Sequence, residues 1–557
     1  MTRAAVRCAM ARAAPLVLVF AAPSLLAGRP LEGVEPEPVH SLAAWIVLDG
    51  ARVVAEHEAD RLLEPASTLK LVTAAAALDM LGPQYRAETR ASAPAAPDEQ
   101  GVVAGDLVIH GAGDPTWNSR FFPQAAARPL ARLAAALRAR GVRRVAGDLV
   151  LDEGRFPPPA QPRSRPLAEM VLGWAAPVSA LAVDENAVLL RIAPGSRVTQ
   201  PVHAAVARRV FGAPELVVRA YTVGAERHGH GTVSFLPLVD RAALMIDGEY
   251  PLSEPSYELA VAMPDPARAV AASLRAALAD AGIAVDGADR TARVPRVPGV
   301  VLATLHSPPL ARWLVPMLEE SHNWYAEMVL RQVALARTGS GRLEDGLAVV
   351  MTWLSDTVGV PASDFALDDG SGLSAENLIT ARALATLLAW ATGRPWHAAL
   401  VQALARPGRG TLQGWPALPR MAAKTGSKHH VQGLAGYLRP ASKHPRVFVI
   451  LLDHRTDTPA ARRAEIARLL APFVRQSEHG ATNVGQASPG STLPVGEPCS
   501  DPHRSSVRHR RFFARGARAG CDRDAALRDA HRARLRTRRM DPRDRAMLPG
   551  ICCLPVG

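Results

Sequence analysis

The sequence predicts an α/β (α+β) fold, and three observations support this prediction. Residues 41–57 (SLAAWIVLDGARVVAEH) alternate apolar and polar side chains around Asp49-Gly50, a dipeptide that favours a tight turn between antiparallel strands. Apolar residues recur at helical spacing after Leu310, and strand-like segments follow between residues 422 and 453. A chain of 557 residues is also long enough for two to four domains with sizeable cores.

Residues 1–28 predict a secretory signal peptide. Arg3, Arg7 and Arg12 precede an apolar stretch, and small residues follow it up to Gly28. The alternative is a membrane anchor, but prolines interrupt an apolar run that is short for a bilayer. We therefore expect an exported protein.

A helix is expected from Pro65 to about Leu81, and it carries Ser67 and Lys70 three residues apart on one face. Lysine is rare here: the chain has four lysines among 65 basic residues, so the other 61 are arginines. Arginine stays protonated, whereas a lysine amine can lose its proton when buried. Lys70 is thus a candidate base for the Ser67 hydroxyl, although the motif alone is weak and coincidence is its alternative.

Beyond residue 88 the pattern changes to short strands and separate helices. The hexapeptide VAGDLV occurs at residues 103–108 and again at 145–150, with an amphipathic helix between the copies that ends at Gly141. A second helix is expected to start at Asp265-Pro266, a typical cap and first position. Residues 89–295 therefore predict one or two mixed α/β modules.

Two further groups of polar residues lie in the last third of the folded region. Ser321-His322-Asn323 separates two predicted helices, where a simple capped turn is the alternative to a functional role. Lys424-Thr425-Gly426-Ser427 lies on a predicted strand, where a solvated edge lysine is the alternative.

In chain order, Ser-x-x-Lys, Ser-x-Asn and Lys-Thr-Gly match the three-part signature of penicillin-binding proteins and serine β-lactamases. More narrowly, the sequence resembles the D-alanyl-D-alanine carboxypeptidase/endopeptidase family of low-molecular-mass penicillin-binding proteins (class C), which carries a large insertion between the first two motifs. Ser67 and Ser321 are 254 residues apart. The resemblance covers about residues 38–475 and includes GAGDPTW (111–117), APVSAL (176–181), DDGSGLS (368–374) and GLAGYL (433–438).

The resemblance implies a penicillin-binding-protein/serine β-lactamase-like transpeptidase domain, built from residues 30–88 and 296–475 and split by the insertion at 89–295. The implied activity is that of a periplasmic serine D-Ala-D-Ala carboxypeptidase, with endopeptidase cleavage of crosslinks as a further activity. Its implied partners are peptidoglycan stem peptides and β-lactam antibiotics, which would acylate it covalently. A serine β-lactamase and a catalytically idle peptidoglycan-binding module are the two alternatives.

Motif by motif, the resemblance implies that Ser67 is the acylated nucleophile and Lys70 its general base. Ser321 and Lys424 would relay the proton to the leaving amine, while Asn323 holds the substrate amide. A neighbouring Lys424 cation is expected to lower the pKa of Lys70 towards neutrality.

The third motif would bind the substrate through Thr425, Gly426 and Ser427. In this assignment Thr425 and Ser427 hold the terminal carboxylate, and the backbone N–H groups of Ser67 and Ser427 form the oxyanion hole. Relatives often place an acidic, aromatic-rich segment just before APVSAL. Here that segment reads RPLAEMVLGWAAPVSAL, which leaves Glu169 and Trp174 as the candidates for its role.

No cofactor and no metal site is expected. The histidines of HGHG (228–231) and the His429-His430 pair lack a carboxylate or cysteine at ligand spacing. The tail, residues 476–557, is basic and has no sustained apolar period, so disorder is predicted. From Ser477 onward it holds 15 Arg against 8 Asp plus Glu, over half of the net charge of +13. Contact with a membrane surface is one role for such a tail; a nucleic-acid partner is not expected.

Overall fold

The structure, a computed structural model, describes residues 41–123, 129–207, 211–224, 232–238, 243–293, 299–416, 420–442 and 444–479. The predicted signal peptide, the HGHG motif and the tail beyond His479 lie outside these residues. Every structural statement below concerns the described ranges.

The described ranges contain ten α-helices and 24 β-strands. The helices are α1 (Lys70–Leu81), α2 (Pro129–Ala139), α3 (Leu167–Met170), α4 (Pro266–Asp280), α5 (Leu310–Leu318), α6 (Asn323–Thr338), α7 (Leu343–Trp353), α8 (Ala381–Ala391), α9 (His397–Ala403) and α10 (Pro459–His479). The strands up to the middle of the chain are β1 (Leu42–Asp49), β2 (Arg52–His57), β3 (Leu62–Leu63), β4 (Glu88–Ala93), β5 (Val102–Val103), β6 (Leu107–His110), β7 (Arg144–Val145), β8 (Leu149–Asp152), β9 (Ala187–Ala193), β10 (His203–Val206), β11 (Glu215–Val218) and β12 (Tyr221–Val223). The remaining strands are β13 (Ser234–Leu238), β14 (Ala243–Asp247), β15 (Glu249–Pro251), β16 (Tyr257–Ala262), β17 (Ala284–Val285), β18 (Asp289–Ala292), β19 (Val300–His306), β20 (Phe365–Ala366), β21 (Leu378–Thr380), β22 (Met421–Ser427), β23 (Gln432–Leu438) and β24 (Arg446–Asp453).

One antiparallel sheet joins the two ends of the described chain in the order β2-β1-β24-β23-β22. The predicted hairpin forms its first two strands, and Gly50 takes the positive φ of 61° that the turn needs. The first strand then pairs along its whole length with β24, from Leu42 opposite Asp453 to Asp49 opposite Arg446. Segments from both sides of the long insertion therefore share one sheet.

Both faces of this sheet are covered, because successive side chains of a strand point to opposite sides. Ala44 and Ile46 belong to the core shared with the buried helices α1, α5, α6 and α8. On the other face Phe448 lies in a second core with Ile466 and Leu470 of α10. The last helix is thus an integral layer of the fold, and it extends past the predicted boundary at residue 475.

The insertion contains a stack of parallel strand–turn–strand units built on the VAGDLV echo. The two predicted copies pair in register, with Val103 opposite Val145 and Leu107 opposite Leu149. A third unit, VDGADR at residues 285–290, continues the stack through β17 and β18. A side chain at Gly147 would come within 2.5 Å of the Gly105 carbonyl carbon, so the close stacking requires glycine at this step.

A second inserted core lies farther along the chain. It combines apolar residues of β9, β14 and β16 with Ala269 of α4. As predicted, Asp265 caps α4, accepting a hydrogen bond from the Arg268 backbone N–H at 3.0 Å.

The far boundary of the insertion differs from the prediction at residue 296. Strand β19 (Val300–His306) pairs with β4 at the edge of the inserted sheet β18-β8-β6-β4-β19. The structure therefore ends the insertion near His306, where α5 begins a few residues later.

Candidate active site

Ser67 lies in a short 3-10 turn, Ala66–Leu69, that leads directly into α1. Ala66, Thr68 and Leu69 are buried, whereas Ser67 is partly exposed. Ala66 has a φ of 45°, an uncommon value for a residue with a side chain. Such strain is typical of functional sites where the surrounding structure over-determines the backbone.

Lys70, one turn later, is completely buried and has three hydrogen-bond partners. Its Nζ lies 2.8 Å from Ser67 Oγ, 2.7 Å from Asn323 Oδ1 and 2.7 Å from the Ser371 carbonyl oxygen. Two of these partners can only accept, whereas the serine hydroxyl can also donate. An ammonium can donate to all three oxygens, whereas a neutral amine can donate to Asn323 and Ser371 and accept from the Ser67 hydroxyl through its lone pair.

Burial is the main cause of the low pKa of Lys70, which falls to about 7. The Asp369 and Glu327 carboxylates oppose this shift, and the Arg165 cation adds to it. This corrects the expectation that a Lys424 cation would be the cause. Burial also lowers the pKa of Lys424 itself, with the Lys70 charge as a second contribution. Each buried ammonium group disfavours the charged form of the other.

The Ser-x-Asn motif lies between α5 and α6, as predicted. Ser321 has a φ of 62°. Asn323 is the first residue of α6, and its Oδ1 accepts a hydrogen bond from Lys70 Nζ. The Ser321 hydroxyl makes no hydrogen bond within the described ranges, so the structure does not join it to Lys424. Asn323, in contrast, contacts the proposed base directly, which the sequence motif alone does not specify.

His322, the middle residue of this motif, anchors the loop to the insertion. Its Nε2 lies 3.0 Å from Glu185 Oε2, and its ring packs edge-on against Phe121 and Tyr325. Glu185 lies in the turn Asp184–Asn186, whose three residues all have positive φ, at 47°, 61° and 53°. A strained inserted turn thus holds the Ser-x-Asn loop from one side.

The Lys-Thr-Gly motif lies on β22, which ends the sheet next to the Ser67 turn. Lys424 is completely buried, so the alternative of a solvated edge lysine is wrong. Its Nζ donates to the Thr425 carbonyl oxygen at 2.7 Å. A side chain at Gly426 would meet the Pro65 carbonyl oxygen at 2.7 Å, which explains why only glycine allows this approach. Ser427 is exposed at the end of the strand.

A loop of residues 368–374, the DDGSGLS segment, contacts the Lys70 amine through the Ser371 carbonyl oxygen. Asp369 is buried and accepts four backbone hydrogen bonds, from the N–H groups of residues 371–374. This shapes the loop so that the Ser371 carbonyl faces Lys70. Arg165, from the insertion, forms an ion pair with Asp369 at 3.0 Å.

Sequence reasoning assigned no role to these buried charges. Asp369 lies in the DDGSGLS segment, and its partner Arg165 lies 204 positions away from it in the chain. Glu327 lies one helical turn after Asn323 on α6. This i+4 spacing is the sequence feature that places Glu327 on the same helix face as Asn323.

The two candidates before APVSAL occupy different surroundings. Glu169 lies on the short helix α3, and its buried Oε2 has no hydrogen-bond partner within the described ranges. The Trp174 side chain is 43% exposed. In the His429-His430 pair the rings meet edge-on, and His430 Nδ1 contacts the Arg455 carbonyl oxygen at 2.8 Å.

Comparisons with known proteins agree in both sequence and fold. The D-alanyl-D-alanine carboxypeptidase of Actinomadura sp. (strain R39) is 30% identical over 475 residues, which cover 80% of this chain and 84% of the relative. The carboxypeptidase DacB of Haemophilus influenzae is 25% identical over 416 residues, covering 72% of this chain and 83% of the relative.

A solved structure of penicillin binding protein 4 (dacB) from Haemophilus influenzae has the same fold. Its TM-score is 0.68 at 23% identity, and the match covers 76% of this chain and 92% of that one. Residues 38–473 match the model of the D-Ala-D-Ala carboxypeptidase 3 (S13) family. The chain therefore belongs to the D-Ala-D-Ala carboxypeptidase 3 (S13) family and is a serine-type DD-carboxypeptidase.

Proposed function

We propose that this carboxypeptidase activity is carried by Ser67 as the nucleophile and Lys70 as its general base. The observation that supports these roles is the 2.8 Å contact between Lys70 Nζ and Ser67 Oγ, made by a lysine buried enough to be neutral near pH 7. A general base must lie within hydrogen-bond reach of the proton that it removes, and this pair satisfies that condition.

The proposed reaction cleaves the terminal D-Ala-D-Ala bond of a peptidoglycan stem peptide. Ser67 Oγ attacks the carbonyl carbon of the penultimate D-Ala, and its proton passes to Lys70 Nζ. The C–N bond then breaks, and the terminal D-Ala leaves after its amine takes up a proton. Water hydrolyses the resulting ester and restores the Ser67 hydroxyl.

The proposal assigns the other motif residues to substrate handling. Ser321 and Lys424 pass the proton to the leaving amine, and Asn323 holds the substrate amide. The proposal requires the substrate to bridge Ser321 and Lys424, because these side chains share no hydrogen bond within the described ranges.

The remaining motif residues lie along β22. Thr425, Gly426 and Ser427 form the carboxylate-binding edge, which is supported by the position of β22 at the end of its sheet, beside the Ser67 turn. The backbone N–H groups of Ser67 and Ser427 complete the oxyanion hole.

The same chemistry predicts covalent acylation of Ser67 by β-lactam antibiotics. The Haemophilus influenzae relative has been solved in complex with a β-lactam, in a structure with a TM-score of 0.62 and 24% identity. We also propose that the chain works in the periplasm after export by its first 28 residues. Among the described residues no helix has the length and apolar character needed to cross a membrane. A membrane-surface contact through the basic tail stays a prediction.

Mass spectrometry of the intact protein after incubation with a penicillin tests this function. A stable adduct on wild type and none on Ser67→Ala is the expected result, since the variant loses one oxygen at a partly exposed turn and should still fold. Labelling of Ser67→Ala would disprove the assignment of the nucleophile. Rapid release of hydrolysed penicillin would favour a β-lactamase, and an unlabelled wild type would favour an idle binding module.

A further inference from the structure

Glu327 is a buried carboxyl group that interacts electrostatically with the proposed base, Lys70. It follows Asn323 by four residues on α6, so both side chains lie on one face of the helix, and only 4% of Glu327 is exposed. Its Oε2 accepts a hydrogen bond from the Gly370 backbone N–H at 3.4 Å, next to the Ser371 carbonyl that binds Lys70. Its Oε1 has no hydrogen-bond partner in the part of the chain that the structure describes.

Four charged groups act on Glu327 from the surrounding elements: Lys70 of α1, Asp369 of the 368–374 loop, Arg165 of the insertion and Arg331 of α6. Arginine keeps its proton at any working pH, so the two arginines are fixed charges.

Each fixed charge has a partner of its own. Arg165 is paired with Asp369 by a contact of 3.0 Å between side chains that are 2% and 0% exposed. Arg331 donates to backbone carbonyls, including that of Gly341 at 3.0 Å, and Glu344 acts on it as well as Glu327.

Asp369 is paired with Arg165, so Lys70 and Glu327 are the members of this cluster without a fixed partner charge; outside the cluster, Lys424 also interacts with Lys70. A free Lys70 amine beside an ionised Glu327 would leave a buried carboxylate without a matching cation, which is costly in a dry interior. A protonated Glu327 removes that cost. In agreement, burial and the neighbouring Asp369 carboxylate raise the pKa of Glu327 to about 7, the value to which burial lowers the pKa of Lys70.

We propose that Glu327 holds the proton that Lys70 releases when Lys70 becomes the free amine that activates Ser67. One N–H bond is lost at Lys70 Nζ and one O–H bond forms on the Glu327 carboxylate, so the net charge of the cluster does not change. Glu327 is a positioning residue and not a catalytic one, because it acts through Lys70. This inference rests on the proposed roles of Ser67 and Lys70.

The rate of acylation by a penicillin, measured against pH on the full chain, tests the proposal. Glu327→Gln keeps the shape of the side chain but can neither hold the proton nor carry the charge. Without the carboxylate, the protonated form of Lys70 loses a stabilising partner. The midpoint of the acid limb is therefore expected to fall by about one pH unit or more. The matched control is Glu153→Gln, which removes another carboxyl of raised pKa, about 7, outside the active site; its midpoint should equal that of wild type.

A uniform loss of rate with an unchanged midpoint would show that Glu327 is merely structural and would overturn the proposal, as would a midpoint that rises. If wild type itself is not acylated on Ser67, the proposed function fails instead, so the two failures are distinguishable.

Infrared spectroscopy provides a second test that does not require Glu327→Gln to fold. In a chain with labelled glutamate and the substitutions Glu64→Gln and Glu153→Gln, which remove the other described glutamates of raised pKa, the band of a protonated glutamic acid is expected near neutral pH. Absence of this band near neutral pH would also overturn the proposal.

Discussion

Lys70 connects three segments that are distant in the chain: the Ser67 turn, the start of α6 and the 368–374 loop. A guanidinium could not replace its amine, because the free-base form of arginine is not accessible at working pH. This explains why a chain with 61 arginines retains a lysine at this position.

Lys70→Arg should therefore be nearly as damaging as Lys70→Ala. General-base catalysis contributes roughly 10²- to 10⁴-fold, and we expect a loss of that size in the acylation rate constant for both variants. Stopped-flow measurement of penicillin acylation separates this constant from binding. An arginine variant within about tenfold of wild type, roughly 1.4 kcal/mol in the barrier, would show that positive charge alone is sufficient.

The pH dependence follows from the pKa of Lys70. Burial lowers this pKa from 10.5 to about 7, so the amine is protonated and inactive below that value. Acylation should rise as the pH increases through about 7 and then level off until other groups titrate. Because the folded state binds fewer protons than the unfolded chain between these two values, the contribution of Lys70 to stability also rises with pH in this window. A rate that is flat between pH 5 and pH 9, on the order of two units either side, would contradict the assignment.

At the scale of single residues, the sequence motifs identify side chains that the structure brings together, while their catalytic roles stay predictions. Ser67, Lys70 and Asn323 come together as their spacing and order suggest. Arg165 and Glu327 were not predicted, since a buried charge has no local pattern when its partner comes from a remote segment. The cause of the Lys70 pKa was also misjudged, because burial cannot be read from a motif.

At the scale of elements, two glycine contacts keep the Ser67 turn in position. Gly426 of β22 approaches Pro65 on one side, and Gly372 of the 368–374 loop approaches Ala66 on the other. Gly372 has a φ of 76°, and a side chain at this position would lie 1.8 Å from the Ala66 carbonyl oxygen. The nucleophile turn is thus held between a strand and a loop that both need glycine.

Gly372→Ala should displace this turn and lower the acylation rate by about 100-fold, a loss that a misplacement of about 1 Å can cause. Gly359→Ala is the matched control, because Gly359 has a similar φ of 85° but nothing within 4 Å of a new side chain. The control should lose about 1 kcal/mol of stability through backbone strain and keep its acylation rate. Equal rates in the two variants would mean that the contact with Ala66 is unimportant.

The elements with strong local signals were the ones that the sequence predicted well. The β1–β2 hairpin, the α5–α6 break and strands β22 to β24 all form where periodicity and turn residues indicated. The third unit of the inserted stack was missed, because VDGADR shares little more than one valine and one glycine with VAGDLV. Its place depends on stacking against the second unit, where the Gly287 N–H donates to the Gly147 carbonyl at 3.1 Å.

At the scale of the whole molecule, α10 sets the limit to which the chain can be shortened. A chain that ends at His479 keeps Ile466 and Leu470 in the core, and we expect its melting temperature to stay within about 2 °C of the full chain, with an unchanged peptidase rate. A chain that ends at Thr458 loses this helix, exposes one face of the sheet and should be strongly destabilised. Calorimetry on both chains provides the comparison. A drop of several degrees for the longer one would mean that the tail packs on the body.

The pairing of β1 with β24 also determines when the enzyme can become active during its synthesis. The first strand of the sheet is made early, but its central partner, from Arg446 to Asp453, emerges only after the entire insertion has been made. The first two units of the inserted stack come from one stretch of chain. They can start to pair before the partner strand of β1 has been made. The Ser67 turn therefore lacks the sheet that it contacts until late in the synthesis of the chain. A newly made chain should acquire protease resistance in the insertion first and penicillin reactivity last, which pulse proteolysis of arrested nascent chains can measure.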